Sequence, residues 1–330
     1  MVPELWNWLT KLLKVLNKIM KQIVKLPYLI SICSILLFNS CGKEEAQIPS
    51  YLNIDHFDLV TTEGQGSDSH KISVVWITVG PDLIGPFELP CTVPILKEGV
   101  QEITLKAGIR INGIAATRMI YPPFNIDSQG SDVLNSDNEI ITEVNLVRDS
   151  IVTLNGRAKY HDEVAFLNIE DFEGIGTTMD TVQLSDSTKT PPIYTADFQK
   201  VKDSTLVFEG ESSGYIGLTE EKHEFILKNV LDFPIPTTFG STFIELNYKN
   251  EAPITVGYVL KGEFGSIIRN KLILTPTDEW NKVYVSISPL EDISSNNIDA
   301  ESFYIYVRGV LTDDLTTADI YLDNIKLISK

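Results

Sequence analysis

The run "GESSG", Gly210 to Gly214, fits G-x-S-x-G, a pattern that can set a serine nucleophile, here Ser212, on a sharp strand-to-helix turn. That chemistry needs a helix after the serine, then an acid and a histidine well downstream. Here strand-type sequence lies on both sides, and the only later histidine, His223, follows eleven residues on. The run therefore reads as a hairpin loop. His56, His70 and His161 share no metal-ligand spacing, and HExxH is absent. The carboxylate pairs Glu220-Glu221, Glu291-Asp292 and Asp313-Asp314 belong to an acid-rich chain and read as solvated loop charges. None of them stands out as an acid/base pair, and no Walker-type or dinucleotide loop is present. The residue types point to no enzyme.

The cysteines say more. Residues 20 to 40, "MKQIVKLPYLISICSILLFNS", begin with Lys21 and Lys25 and continue through an apolar core from Leu26 to Phe38. That core is shorter than the roughly 20 residues a bilayer span needs, so the segment reads as an export signal. It ends at Ser40-Cys41 and there resembles the lipobox of bacterial lipoproteins. The resemblance implies cleavage before Cys41 and its modification with diacylglycerol and palmitate, more than one acyl chain being what stable anchoring requires. The alternative is an ordinary cleaved signal with a coincidental cysteine. The following "CGKEEA" resembles the surface-export tag of lipoproteins in polysaccharide-degrading Gram-negative bacteria. Lys43, Glu44 and Glu45 match it and imply display on the outer face of the outer membrane; a solvated, charged tether is the plainer alternative. Residues 1 to 19 place Trp6, Leu9, Leu12, Leu13 and Leu16 at helical spacing beside Lys11, Lys14 and Lys18. They read either as a basic membrane-surface helix or as sequence upstream of a true start at Met20.

Residues 1 to 40 hold five Lys and one Glu, which leaves 22 basic and 44 acidic residues beyond them, net −22. Such a surface repels nucleic acid and anionic headgroups. With Cys33 in the signal and Cys41 acylated, Cys91 stands alone, so no disulfide framework or cysteine zinc site is expected. It reads as a small buried apolar residue.

The length beyond the signal suits two domains, and the pattern is β throughout. After a tether over 41–49, strands are expected in "SYLNIDHFDLV", "KISVVWITV", "TVPIL", "VQEITLKAG", "EIITEVNLV" and "IVTLNGRAKY", with a polar loop over 125 to 138. Val75, Ile77 and Val79 share one face of their strand, opposite Val74, Trp76 and Thr78. Val79-Gly80, Ile84-Gly85, Val93 to Leu96, Gly99 and Ile103 resemble the PEGA-type β-sandwich of envelope proteins, which implies an Ig/PEGA-like first domain over 50–157. The second domain, 158–330, has strand candidates "STLVFEG", "HEFILKNV", "FIELNYK", "ITVGYVLKG", "KLILTPT", "NKVYVSIS", "SFYIYVRGV" and "ADIYLDNIKLIS". Phe172-Glu173-Gly174, Trp280 to Val283 and Ile320 to Ile325 resemble, in order, the jelly-roll of carbohydrate-binding modules. The whole is thus expected to be all-β: two consecutive antiparallel β-sandwiches.

The second resemblance implies a structural calcium held by Glu173 and Asp323 where the chain ends of the sandwich meet; the alternative is that Asp323 and Asn324 cap a turn. Tyr215, Tyr258 and Phe264 are candidate aromatic platforms for a sugar. Ser150, Thr181, Ser187 and Ser204, each after an Asp, resemble bacterial O-glycosylation sites. The function expected is a non-catalytic surface lipoprotein that captures a glycan or peptide. The alternative is a structural accessory of an envelope machine, for secretion or gliding, with protein partners only.

Overall fold

A computed structural model describes residues 7–18, 20, 47–124, 130–183, 185–186, 193–239 and 242–330. They fall into two compact units, Met1–Ile48 and Pro49–Lys330. In the first, helix α1 spans residues 7–18 and leaves Trp8, Leu9, Leu12, Leu13 and Leu16 exposed. No helix among the described residues is long and apolar enough to cross a membrane. Cys41, Lys43, Glu44 and Glu45 lie outside the described residues.

The second unit is built almost entirely of strands. Its first ten are β1 (Ser50–Val60), β2 (Val74–Val79), β3 (Asp82–Glu88), β4 (Cys91–Ile95), β5 (Gly99–Arg110), β6 (Arg118–Ile120), β7 (Asp132–Leu134), β8 (Ile140–Ile141), β9 (Glu143–Leu146) and β10 (Ile151–Lys159). They form two sheets, β4-β1-β10-β7-β8 and β3-β2-β5-β6, with β9 also paired to β5. Pairing is antiparallel except between β1 and β10, which run parallel because the first and last strands of this sandwich lie side by side in the same direction. The alternation read from the sequence sets the core: Val75, Ile77 and Val79 point inward against Leu52, Leu105 and Leu154. Gly80, with φ +57, makes the tight turn into β3. Cys91 is half-buried rather than enclosed.

The later strands are β11 (Ala165–Glu170), β12 (Met179–Thr181), β13 (Ser185–Asp186), β14 (Ile193–Tyr194), β15 (Phe198–Val201), β16 (Ser213–Thr219), β17 (Glu224–Asn229), β18 (Phe233–Pro234), β19 (Thr242–Asn250), β20 (Ile254–Gly262), β21 (Gly265–Leu274), β22 (Thr277–Ile287), β23 (Ser302–Val310) and β24 (Thr317–Ser329). Helix α2 (Pro289–Asn296) joins β22 to β23. One sheet runs β15-β16-β24-β19-β22 with β11 beside β24; the facing sheet runs β12-β17-β23-β20-β21 with β18 on β23. Strands cross between the two sheets, as in a jelly-roll, and enclose Ile216, Leu246, Val256, Val283, Phe303 and Ile320. Strand β11 pairs antiparallel with β24, Glu170 opposite Ile325, so the first and last strands of this sandwich lie together.

Several elements depart from the sequence reading. "STLVFEG" is not a strand: residues 204–212 form turns and bends, and the strand begins after them at Ser213. Asp203 sets the turn by accepting from the Thr205 backbone N–H and hydroxyl, while Ile216 and Leu218 find the core one hairpin later. Strand β7 lies within the stretch expected to be loop. Strand β3 and helix α2 were not anticipated, although α2 carries Pro at its start, two acids in its first turn and a left-handed Asn297 at its end.

The two sandwiches share a face. Phe243, Tyr284 and Ile328, on the outer side of the β15–β22 sheet, belong to the apolar core of the first sandwich. Among them Glu245 is fully buried, accepting from the Tyr121 hydroxyl at 2.8 Å and the Tyr160 hydroxyl at 3.0 Å, with Lys282 Nζ at 3.1 Å. Lys326 Nζ donates to the Ser67 carbonyl at 2.5 Å, and the Asn112 N–H to the Tyr284 carbonyl at 2.8 Å. The contact covers only one end of that face.

Candidate ligand-binding site

The other end of the same face carries a row of rings, in which Tyr215, Trp280 and Phe208 are half-buried and Tyr321 is 7% exposed between them. Strand register places Tyr215 of β16 opposite Tyr321 of β24, and Tyr321 opposite Lys249 of β19. Trp280 of β22 continues the row. Ring centroids are 5.3 Å apart for Tyr215 and Tyr321, 6.3 Å for Tyr321 and Trp280, and 5.3 Å for Trp280 and Phe208. Lys249 Nζ stands 5.9 Å from the Tyr321 ring centre.

Local sequence explains why the Tyr215 ring lies along the sheet. Gly217, two residues on, is on the same side of β16, and a Cβ there would come within 2.6 Å of the Tyr215 hydroxyl. The missing side chain lets that hydroxyl cross Gly217 and donate to Asp319 Oδ1 at 2.9 Å. Asp319 is fixed in turn, its N–H donating to Glu251 Oε2 at 2.9 Å. Burial, then the bond to Asp319, pushes the Tyr215 pKa up to about 12, so the phenol stays protonated and can accept from a ligand hydroxyl while donating to Asp319. Burial and the charges of Asp319 and Glu251 raise Tyr321 as well. Beside the row, Phe208 forms one wall of a cleft of about 430 Å³, lined also by Lys202, Ser204, Glu209 and Glu211. Aromatic faces next to fixed carboxylates and a cation can hold a flat ligand that shows C–H groups on one side and hydroxyls at its rim.

The sequence-derived residues fare differently. Tyr215 is in the row. Tyr258 is not a surface platform: it is fully buried in the core of the second sandwich, its hydroxyl donating to Asp292. Period-two alternation puts it inward on β20. Phe264 is exposed at the tip of the β20–β21 hairpin, in the other sheet. Trp280 and Tyr321 stood in the motifs that carried the family resemblance without being read as platforms. Alternation of Ile320 and Leu322 against Tyr321 marks the outward face, but not which end of it stays open.

Ser212 is buried; its N–H donates to Glu173 Oε1 at 2.9 Å and its hydroxyl to the Phe172 carbonyl at 2.7 Å. A strand follows it, so the turn supplies no exposed nucleophile. Glu173 Oε1 also accepts from the Glu211 N–H at 2.9 Å. Asp323 is buried and accepts from the Ser213 hydroxyl at 2.5 Å and the Asn324 N–H at 2.7 Å. Burial pushes its pKa up to about 7, with Glu209 and Glu173 adding to the rise. The fold thus brings Glu173 and Asp323 to one corner, but N–H and O–H donors already occupy Glu173 Oε1 and both Asp323 oxygens. Among the described residues no group of three or more His, Cys, Asp or Glu side chains is set to hold a metal ion. As placed, the pair does not fit a calcium cage, and no step is assigned to one. Of the serines and threonines in the glycosylation pattern, Ser204 is exposed beside the cleft, Ser150 and Thr181 are half-buried, and Ser187 lies outside the described residues.

No protein-family model matches the chain, and none of the curated proteins matches it. Among solved structures, it is similar to one from work on the promiscuous specificity of carbohydrate-binding modules of the beta-sandwich superfamily. The identity is 15%, the TM-score 0.34, and the match covers 77% of this chain and 84% of that one. It is similar to the family 11 carbohydrate-binding module of the cellulosomal cellulase Lic26A-Cel5E of Clostridium thermocellum, at 16% identity and TM-score 0.34, over 51% of this chain and 95% of that one. It is also similar to the enzymatically active domain of tailspike protein 4 of bacteriophage CBA120, at 11% identity and TM-score 0.34, over 48% of this chain and only 20% of the tailspike. The chain is an all-β protein of sandwich architecture, an assignment that rests on its own strand pairing.

Proposed function

We propose that this is a non-catalytic binding protein that holds a glycan against the half-buried rings of Tyr215, Trp280 and Phe208, which Tyr321 supports from between them. The observation that carries the reading is that row: the half-buried rings of Tyr215, Trp280 and Phe208 on neighbouring elements, packed around the nearly covered Tyr321, with Asp319, Glu251 and Lys249 set beside them. A pyranose has an apolar C–H face that stacks on such rings and equatorial hydroxyls that reach flanking carboxylates. The reading includes a lipid anchor at Cys41 with display on the outer face of the outer membrane, supported by the sequence around Lys43, Glu44 and Glu45.

A glycan array probed with the chain from residue 41 tests it. Binding to at least one glycan is expected, weakened roughly 10-fold or more, ~1.4 kcal/mol, by Trp280→Ala or Tyr215→Ala. Phe264→Ala leaves it unchanged. No bound glycan, together with recovery of envelope proteins that survives Trp280→Ala, would move the protein to the structural-accessory reading.

A further inference from the structure

We propose that the end of the first sandwich where β1 begins is a rim that rests on a phospholipid bilayer. Register places Pro94 of β4, Tyr51 of β1 and Ile151 of β10 directly across three neighbouring strands. Ser50 and Leu52 point into the protein, so Tyr51 and its cross-strand neighbours point outward. Ile151 is 66% exposed, and Leu96, one residue beyond β4, is 64% exposed. On the opposite sheet at the same end, Val100 is 62% exposed and Val147 52% exposed, flanking Asn145, which pairs with Val100. Four bulky aliphatics thus ring the mouth through which the chain enters at Pro49. Backbone bonds fix that mouth: the Asp149 N–H donates to the Pro49 carbonyl at 3.0 Å and the Tyr51 N–H to the Ser150 carbonyl at 2.8 Å.

Charge separates this rim from the rest of a chain that is net −22 beyond residue 40. Its cations are matched within the protein, Arg148 to Glu98 at 2.5 Å and Lys97 to Asp82 at 2.6 Å; Asp149 stays at its edge, and Glu102 and Glu143 face each other two residues further along β5 and β9. A nearly neutral, aliphatic rim suits the boundary between zwitterionic headgroups and acyl chains. The length of chain before it selects that occupant. Seven residues lie between Cys41 and Pro49, a span that reaches at most about 29 Å when extended. An acyl chain on Cys41 would therefore keep this end of the sandwich within that reach of the bilayer. The inference rests on the lipid-anchor reading, and the rim would orient the protein that the anchor retains.

The test imposes the anchor, so that it does not depend on acylation. The chain from residue 42, carrying an N-terminal histidine tag, is held on phosphatidylcholine vesicles that contain nickel-chelating lipid. Ile151→Trp is expected to show blue-shifted emission that lipids brominated on their acyl chains quench, after subtraction of the signal from Trp76 and Trp280. Ile273→Trp, on the exposed edge strand of the second sandwich, is expected to stay unquenched. Serine at Leu96, Val100 and Val147 should remove the quenching of Ile151→Trp. Unquenched Ile151→Trp, or equal quenching at both positions, overturns the proposal. So does a dimer in lipid-free solution that the serine replacements dissociate, which would assign the rim to a second copy of the chain. Lipid labelling of the full chain and of Cys41→Ala decides the anchor separately: absent labelling would remove the anchor and leave the quenching result standing.

Discussion

Lys326 shows how far side-chain chemistry here depends on burial. It is fully enclosed between the sandwiches, and desolvation lowers its pKa from 10.5 to about 8, although the charge of Glu245 pulls the other way. Below about 8 the amine is charged in both folded and unfolded chains, and the cost of burying that charge is felt in full. Between about 8 and 10.5 the folded protein carries the neutral amine while the unfolded chain still holds its proton, so this residue makes stability rise with pH. Lys326→Met removes the dependence. Denaturant unfolding should show the wild type gaining on that variant by up to ~2 kcal/mol between about pH 7 and about pH 10. A gap that stays constant over that range would mean that Lys326 titrates normally.

At the scale of elements, β24 organises the second sandwich. It lies between β16 and β19 and also takes β11, so it joins the first strand of that sandwich to the middle of the sheet. The approach of Phe172 to β16 depends on a missing side chain: a Cβ on Gly214 would stand 2.7 Å from the Phe172 ring. Phe172 cannot easily give way, because it is buried and its backbone is held at φ +59, a conformation costly for a bulky residue. Gly214→Ala is expected to cost about 1–3 kcal/mol by overpacking. Thermal denaturation would read that as a fall of roughly 2–4 °C per kcal/mol. An unchanged midpoint would show that the ring can swing aside.

At the scale of the whole molecule, the two sandwiches are bound by a buried polar cluster inside an apolar seam. Glu245 answers Tyr121 and Tyr160 from one side and Lys282 from its own sheet, with Phe243, Tyr284 and Ile328 around them. Residues 49–330 should accordingly unfold in a single calorimetric transition. Glu245→Leu would leave buried cations without their counter-charge and should cost about 3–5 kcal/mol. Two separated transitions in the wild type would show that the seam does not couple the sandwiches. Because the seam uses one end of one outer face, it also decides which residues of that face stay outside it.

The sequence by itself determined what depends on local period and composition. Alternation in "VVWITV" and "ADIYLDNIKLIS" marked strands and their inward faces, because side chains on a pleated strand must point to opposite sides. Acidic excess argued against nucleic acid as a partner. It did not show that "STLVFEG" would turn back as a loop, because Val207 and Phe208 look the same whether they meet a core or a cleft. Tyr215 and Tyr258 also look alike in sequence, each aromatic and each in a strand. One is half-buried on the outer face of its sheet and the other is a core residue, since the turns before each strand set its register. Which outward residues keep contact with water was decided only when the first sandwich settled over Glu245 and Tyr284 and left Tyr215 and Trp280 half-buried at the far end. That is a long-range contact between segments more than a hundred residues apart, and no local pattern encodes it.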